Sequence, residues 1–299
     1  MAKAKTEGFE AAAPFYRHLM QTLQAHEVPF LIGGAYGFAL FTGIRRPTKD
    51  LDIFIRQRHW APLAQLARDL GYRAELTFAH WLGKVYGPGG FIDVIFNSGN
   101  GLSPVDDAWF EHACDACVLD LPVRLAPVEE SLWTKAFIME RERYDGADVA
   151  HLLHACAPRI DWKRLMQRFE PHWRVLLSHL VLFGFIYPGE RSLIPRWVMD
   201  ELTQRLAAET REPPPQTAQC GGTLLSREQY LPDVAQHGYD DPRLAPDSAM
   251  TPTDVREWTT AIRTPPEVPE PSSETSTKRR PRAPGVARAA RGRASPPRR

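Results

Sequence analysis

Residues 31–55 constrain the fold of this chain more than any other segment. They read LIGGAYGFALFTGIRRPTKDLDIFI and begin with an apolar run that ends at Gly33 and Gly34. Paired glycines directly after a strand mark a tight turn, and residues 35–42 then have the composition of a helix. Residues 50–55 alternate polar and apolar side chains at first, as a half-buried strand does. The segment therefore predicts a strand, a helix and a second strand in close succession.

The flanking segments extend this pattern into an α/β (α+β) fold with a mixed sheet. Apolar periodicity predicts helices over 9–26 and 60–70 and strands over 28–32, 73–78, 84–86 and 91–96. After residue 126 the pattern becomes helical, and we expect helices over 128–144, 147–154, 161–169, 173–185 and 194–208. A capping box at 226–229 and the segment 253–262 predict two shorter helices.

These changes in pattern divide the chain into four parts. We predict a catalytic α/β domain over 1–125 and a helical domain over 126–210. Residues 211–262 form an extension with short helices, and residues 263–299 form a disordered tail rich in Pro and Arg.

Composition restricts the class of protein. Hydrophobic residues make up 43% and charged residues 24%, which is usual for a globular protein. Four cysteines are too few for a disulfide scaffold, so they indicate a reducing compartment. The longest apolar run, 175–187, is shorter than the roughly 20 residues of a membrane helix. We expect a cytoplasmic protein without a secretory signal and without membrane contact.

Charge is distributed unevenly along the chain. Residues 278–299 contain nine of the 37 Lys and Arg residues and no Asp or Glu, so the remaining residues carry a net charge of −8. A flexible basic segment binds nucleic-acid phosphates weakly and without sequence preference. An unstructured tail without a partner is an equal alternative.

Three aspartates carry the clearest chemical signal. Asp50 and Asp52 are two positions apart on a predicted strand, so their side chains point to the same face. Asp93 lies in FIDVIF, where an isolated carboxylate is unfavourable to bury. It would be stabilised if its strand lay beside 50–55 and all three acids shared a hard cation such as Mg²⁺. Glycines at the start of a helix also let backbone N–H groups approach a phosphate.

Gly33-Gly34, the following helix, Asp50-Leu51-Asp52 and the distal Asp93 resemble the motif of the nucleotidyltransferase superfamily that includes DNA polymerase β. The resemblance implies that Asp50 and Asp52 hold two Mg²⁺ ions. It also implies that Asp93 shares one ion and helps to deprotonate an acceptor hydroxyl. Gly33 and Gly34 would then bind the triphosphate of a nucleoside triphosphate (NTP). The alternative is that the three acids have structural roles. Asp50 would cap the start of a strand, Asp52 would form an ion pair with Arg45 or Arg46, and Asp93 would be a surface acid next to a turn.

Several cations are candidates for phosphate binding. By the same resemblance Lys135 would contact the β- and γ-phosphates, although a solvated helix face with ion pairs explains it equally well. Arg141 and Arg143 are weaker candidates. Lys49, with Arg45 and Arg46, precedes the strand of acids and could also reach phosphate.

Other residues leave their roles open. Trp81, Tyr86 and Trp109 would either stack on a base or pack in the core, and loop 97–101 would lie at the edge of the site. Cys114 and Cys117 form a CxxC, but a zinc site would need Cys156 and histidines to complete it, and we favour ordinary packing.

The sequence therefore predicts a Mg²⁺-dependent nucleotidyltransferase that moves a nucleoside monophosphate from an NTP to a hydroxyl. The acceptor remains open between a small molecule, RNA and protein. The alternative is a non-catalytic module on the same fold that binds a nucleotide or a partner, as a sensor or as a toxin–antitoxin or defence component.

Overall fold

Seven strands form one mixed sheet in the computed structural model, which describes residues 2–261 and the side chains from residue 11 onward. The strands are β1 Leu31–Ile32, β2 Asp50–Phe54, β3 Arg73–Phe78, β4 Leu82–Gly87, β5 Gly90–Ile95, β6 Cys114–Val118 and β7 Leu121–Leu125. Their order is β3-β4-β5-β2-β1-β7-β6. The β2–β5 and β1–β7 pairs are parallel, and the other pairs are antiparallel. The mixed α/β sheet predicted from the sequence is confirmed.

Helices surround the sheet and continue beyond it. They are α1 Ala2–Ala25, α2 Gly34–Thr42, α3 Trp60–Asp69, α4 Asp107–Glu111, α5 Val128–Ala136, α6 Gly146–Cys156, α7 Trp162–Arg168, α8 Trp173–Ile186, α9 Arg196–Glu209, α10 Leu231–His237 and α11 Pro252–Thr260. The described residues belong to one compact unit. The predicted division at 125 and 210 stays a prediction, and the predicted disordered tail lies outside the described residues. None of the described helices is long and apolar enough to span a membrane.

The two faces of β2 have opposite chemistry. Leu51 and Ile53 are fully buried in a cluster with side chains of α1 and α3, and burial of each contributes about 1.5–3 kcal/mol. Because side chains alternate along a strand, Asp50 and Asp52 occupy the other face. The apolar layer thus fixes the register that presents the carboxylates.

A second cluster joins the helices that follow the sheet. It consists mainly of buried side chains from α5 to α9, with Phe38 of α2 at its border. Phe38 therefore connects the helical cluster to the helix that starts at the glycine turn.

The structure corrects two expectations from the sequence. The helix predicted over 128–144 ends at Ala136, and the chain reverses through a bridge between Met139 and Tyr144. Strands β6 and β7, which the sequence analysis did not predict, form a hairpin at the edge of the sheet. Their turn places Leu119 and Asp120 at positive φ, so it lacks the usual glycine signal.

Candidate active site

Asp50, Asp52 and Asp93 lie on one face of two adjacent strands. Asp52 of β2 is directly opposite Asp93 of β5 in the parallel register, and Asp50 precedes Asp52 by two positions. All three side chains line one cavity of about 830 Å³. The strand of Asp93 thus lies beside the strand of Asp50 and Asp52, as the sequence predicts.

The negative charges of the three carboxylates repel one another. Burial, together with the charges of Asp50 and Asp93, raises the pKa of Asp52 to about 7. The charges of Lys135 and Arg143 oppose this increase. A bound cation would relieve the same repulsion, because it would favour the ionised form of Asp52.

Asp93 has a basic partner on the neighbouring strand. Lys84 of β4 is opposite Asp93 of β5, and its Nζ lies 2.5 Å from Asp93 Oδ1. Burial raises the pKa of Asp93, whereas the charge and hydrogen bond of Lys84 lower it and Asp50 raises it further. The sequence analysis missed Lys84, although its period-two spacing from Leu82 and Tyr86 on a predicted strand could have indicated a cavity-facing cation.

The glycine turn brings the start of α2 against Asp52. Gly34 has φ +54°, and a Cβ there would overlap the Asp52 carboxylate. The Gly33 N–H donates to the Asp52 carbonyl oxygen at 3.2 Å, and Gly33 does not line the cavity, whereas Gly34 and Ala35 do. The first N–H groups of a helix have no intrahelical acceptor. An anion at this turn would therefore meet the N–H groups of Gly34 and Ala35 rather than that of Gly33.

A cluster of basic side chains, each paired with an aspartate, also lines the cavity. Lys135 Nζ donates to Asp145 at 2.9 Å and to Asp148 at 2.7 Å. Arg143 makes two hydrogen bonds to Asp145, of 2.9 and 2.8 Å, and Arg46 pairs with Asp148. Burial tends to raise the pKa of Asp145, but the hydrogen bonds and charges of Arg143 and Lys135 hold it below its usual value. Both acids therefore help to hold the cations in place beside the carboxylates.

Lys49 does not share this placement. Its side chain is exposed and does not line the cavity, and it lies on the loop before β2. Its carbonyl oxygen accepts a hydrogen bond of 3.3 Å from the Tyr16 hydroxyl. Arg46 lines the cavity instead, on the 43–49 loop that lengthens the connection between α2 and β2. Arg45 and Arg141 are exposed outside the cavity lining.

The aromatic candidates separate into three environments. Trp81 lines the cavity, as does loop 97–100. Trp109 is buried in a cluster with Leu31 and Phe54. Tyr86 is covered by the guanidinium of Arg73, whose carbon lies 3.8 Å from the ring centroid.

The segment after residue 216 forms one wall of the cavity, which sequence reasoning did not predict. Leu224, Leu225, Ser226, Arg227 and Trp258 all line it. Local periodicity gives no signal for such contacts, because they join residues 86 positions apart, as Ser226 and Glu140, or 124 positions apart, as Leu224 and Asn100.

The carboxylate oxygens of this site suit a hard cation that the substrate also helps to bind. Among the described residues, no group of three or more His, Cys, Asp or Glu side chains is placed so that it could hold a metal ion. Mg²⁺ commonly binds through one or two carboxylates together with substrate phosphates. Asp50 and Asp52, beside a turn that can bind phosphate, fit that mode, and the mutual repulsion at Asp52 favours it. Asp93 can join only if its bond to Lys84 lengthens.

The cysteines do not form part of this site. Cys114 and Cys117 are exposed on edge strand β6, whereas Cys156 is buried. Cys156 Sγ lies 3.3 Å from an Arg159 guanidinium nitrogen.

No family model and no curated protein matches the chain. Several solved structures are similar to it in three dimensions, among them the three that follow. The solution structure of the antibiotic-resistance factor ANT(2'')-Ia is 16% identical, with 60% of this chain and 98% of that chain covered and a TM-score of 0.39. The lincomycin-bound lincosamide antibiotic adenylyltransferase LnuA is 17% identical, with coverage of 47% and 94% and a TM-score of 0.35. An antigenic nucleotidyltransferase-like protein from Paracoccidioides brasiliensis is 16% identical, with coverage of 62% and 92% and a TM-score of 0.42. These values describe a likeness in the outline of the fold.

Proposed function

We propose that the chain is a Mg²⁺-dependent nucleotidyltransferase that transfers a nucleoside monophosphate from an NTP to a hydroxyl acceptor. The observation that carries this proposal is the position of Asp50, Asp52 and Asp93 on one face of the sheet, with Asp52 directly against the start of α2 at Gly34. Carboxylates that converge beside a phosphate-binding turn suit chemistry at a phosphorus atom.

In the proposed reaction, the acceptor oxygen forms a bond to the α-phosphorus. The bond from that phosphorus to the α–β bridging oxygen breaks, and pyrophosphate leaves in line with the attack. The hydroxyl proton passes to a carboxylate, and Asp93 is our candidate because burial raises its pKa. Two Mg²⁺ ions bound to Asp50 and Asp52, one of them shared by Asp93, would neutralise charge on the phosphates.

The β- and γ-phosphates have a separate binding region in this proposal. The N–H groups of Gly34 and Ala35 lie at the positive end of the α2 dipole, which attracts anions. Lys135 and Arg143 face the same cavity and exert their charge on Asp52. The departing pyrophosphate would therefore move toward α2 and these two cations.

The Lys84–Asp93 ion pair favours a second candidate function. A lysine ammonium 2.5 Å from Asp93 occupies the position where a cation would share that carboxylate. A module that binds nucleotide without catalysis could keep this pair permanently, as a sensor or as a component that recruits a partner. Contact of the basic tail with nucleic acid also remains a proposal, and it concerns residues outside the described part of the chain.

Pyrophosphate release distinguishes the two functions. The purified full chain is incubated with each of the four common NTPs, Mg²⁺ and the small-molecule fraction, RNA fraction or protein fraction of a cell extract. We expect release with one fraction, and none with the Asp50→Asn/Asp52→Asn variant. Equal release by that variant would refute the proposal. A folded wild-type protein that is stabilised by an NTP regardless of Mg²⁺, and that releases nothing with any fraction, would instead support the binding module.

A further inference from the structure

The cavity has an aromatic end that the proposed transfer reaction does not use. The side chains of Phe78, Trp81 and Trp258 line it together. The Phe78 and Trp81 rings are nearly parallel, with centroids 6.0 Å apart. The Trp258 ring is steeply inclined to both, with centroids 5.2 Å from each. All three side chains are only partly buried, so part of their ring surface faces the cavity.

Two buried donors at this end lack acceptors. Trp81 Nε1 and Thr77 Oγ1 are both inaccessible to solvent and have no hydrogen-bond partner among the described residues, and both residues line the cavity. Burial of an unpaired donor is unfavourable by about 1–3 kcal/mol. A ligand with hydrogen-bond acceptors on the rim of a flat ring would satisfy these donors once the side chains that cover them move, whereas a hydrocarbon ring would not.

The aromatic end lies on the acceptor's side of the reaction. Gly34 follows β1, whereas Asp93 and Lys84 are on β5 and β4, and β2 lies between these two sides of the sheet. If pyrophosphate leaves toward Gly34 and Lys135, an in-line attack must come from the side of β5 and β4. Trp81 is three residues from Lys84 along that side, a distance of about 10 Å at the rise of a strand. A small molecule of nucleoside size spans the distance from Asp93 to these rings.

The wall over this end is held in place by the segment after residue 216. Asn100 Nδ2 donates to the Leu224 carbonyl oxygen at 2.7 Å, and the Ser226 hydroxyl donates to Glu140 at 2.6 Å. The guanidinium carbon of Arg227 lies 4.7 Å from the centroid of a Trp258 ring. These contacts join the loop after β5 to the loop after α5, so the aromatic end is enclosed on that side.

Charge at the aromatic end argues against a polyanionic acceptor. Lys84 and Arg227 are the Lys and Arg side chains that line it within the described part of the chain, and each is paired with a carboxylate, Asp93 at 2.5 Å and Glu140 at 3.7 Å. Binding of RNA depends on unpaired cations along the phosphate backbone. A small uncharged acceptor fits this end better.

We infer that Phe78, Trp81 and Trp258 bind the acceptor, and that the acceptor is a small hydroxyl compound with a planar heteroaromatic ring, such as a nucleoside. The inference rests on the proposed function only for the role of acceptor. Binding of the ring itself depends on the aromatic residues alone.

Calorimetric titration of the full chain with adenosine, guanosine, cytidine and uridine tests the binding step. We expect at least one nucleoside to bind, and Trp258→Ala and Trp81→Ala to weaken it about tenfold or more, as loss of a stacking partner does. Trp258→Phe keeps a ring and should retain most of the affinity, which excludes misfolding as the cause. Trp197→Ala, an exposed position on α9 away from the cavity, should not alter it. Binding of none of the four, or equal affinity in the alanine variants, would overturn the inference.

A second titration identifies what the pocket holds. Adenosine is titrated in the presence of a saturating NTP analogue with a methylene in place of the α–β bridging oxygen. We expect undiminished adenosine affinity, because the two molecules would occupy opposite sides of β2. Competition between them would show that the rings bind the base of the NTP. Tighter binding of an oligoadenylate RNA than of adenosine, with loss in Trp258→Ala, would overturn the small-molecule assignment.

The two proposals fail separately. The nucleoside titration is made without NTP and without Mg²⁺, so it reports on the aromatic residues and not on transfer. Adenosine binding without any pyrophosphate release would refute the transferase function and the role of adenosine as acceptor. The proposal that the aromatic residues bind a nucleoside would stand. Release without nucleoside binding would contradict the pocket and leave the transferase.

Discussion

Gly34 leaves no room for a side chain because the Asp52 carboxylate occupies the space where its Cβ would be. The glycine also has φ +54°, a backbone conformation that residues other than glycine rarely adopt. The start of α2 and the central acid of β2 are therefore in direct contact, and the position of one depends on the other.

Gly34→Ala should accordingly remove activity. The new methyl group must displace either Asp52 or the first turn of α2, so we expect nucleotidyl transfer to fall at least about 100-fold, in line with the sensitivity of catalysis to small misplacements. Steady-state assay of pyrophosphate release provides the measurement.

Gly43→Ala is the matched control for that variant. Gly43 ends α2 with φ +74°, and a Cβ there would meet nothing within 4 Å. The Gly43→Ala substitution should lower the free energy of unfolding by about 1–2 kcal/mol, because a residue with a side chain is strained in the left-handed region. Nucleotidyl transfer should be retained. Equal loss of activity in both variants would mean that backbone strain, rather than contact with Asp52, is responsible.

Asp52→Asn should stabilise the metal-free protein, and more so at high pH. The pKa of Asp52 is about 7 in the fold and 3.8 in the unfolded chain, so the folded state binds the extra proton between these values. Stability from this group is present at low pH and is lost as pH rises toward 7 and above. With a chelator present, the variant should gain up to about 4 kcal/mol over the wild type near pH 8 and little near pH 4.

Chemical denaturation at both pH values measures this difference. Asp247→Asn, at an exposed position, should show no such dependence. A variant that is destabilised at high pH would contradict the repulsion among the three carboxylates.

Lys84→Gln should shift the pH dependence of transfer. Burial raises the pKa of Asp93 and Lys84 opposes that increase, so removal of the ammonium should raise it further. If Asp93 accepts the hydroxyl proton, the acid limb of the kcat profile should move to higher pH. Lys84→Arg preserves the charge and should leave the limb near its original position. A lower melting temperature without any shift would indicate that the pair only stabilises the fold.

Lys135→Met tests the expected phosphate contact. Lys135 lies between Asp145 and Asp148, and its removal should both lower the melting temperature and raise the KM for the NTP about tenfold. Lys163→Met, at an exposed position on α7, should change neither. A lower melting temperature with an unchanged KM would assign Lys135 to the structure alone.

The carboxylates could be found from the sequence because local rules determine them. Alternation along β2 places Asp50 and Asp52 on one face, and the apolar neighbours of Asp93 identify its strand. The mixed sheet and most helices follow from the same periodicities. Lys49 is a candidate only by its proximity to Asp50 in sequence, and its side chain does not line the cavity.

Contacts between distant segments could not be predicted in this way. Helix α5 ends at Ala136 because the chain turns back to bring Asp145 and Asp148 onto Lys135, and nothing in the local pattern marks that turn. The backbone N–H of Met139 donates to the Leu225 carbonyl oxygen at 3.0 Å, so the wall of the cavity depends on a residue 86 positions away. Trp258 joins the site through the same kind of tertiary packing.

The most direct measurement follows the fate of the α-phosphorus. The full chain is incubated with Mg²⁺, a small-molecule extract and an NTP labelled at either its α- or its γ-phosphorus. We predict that α-label appears on the acceptor and γ-label in pyrophosphate, and that the Asp50→Asn/Asp52→Asn variant produces neither. Transfer of γ-label to the acceptor, or α-label transfer that persists in the variant, would contradict nucleotidyl transfer at these carboxylates.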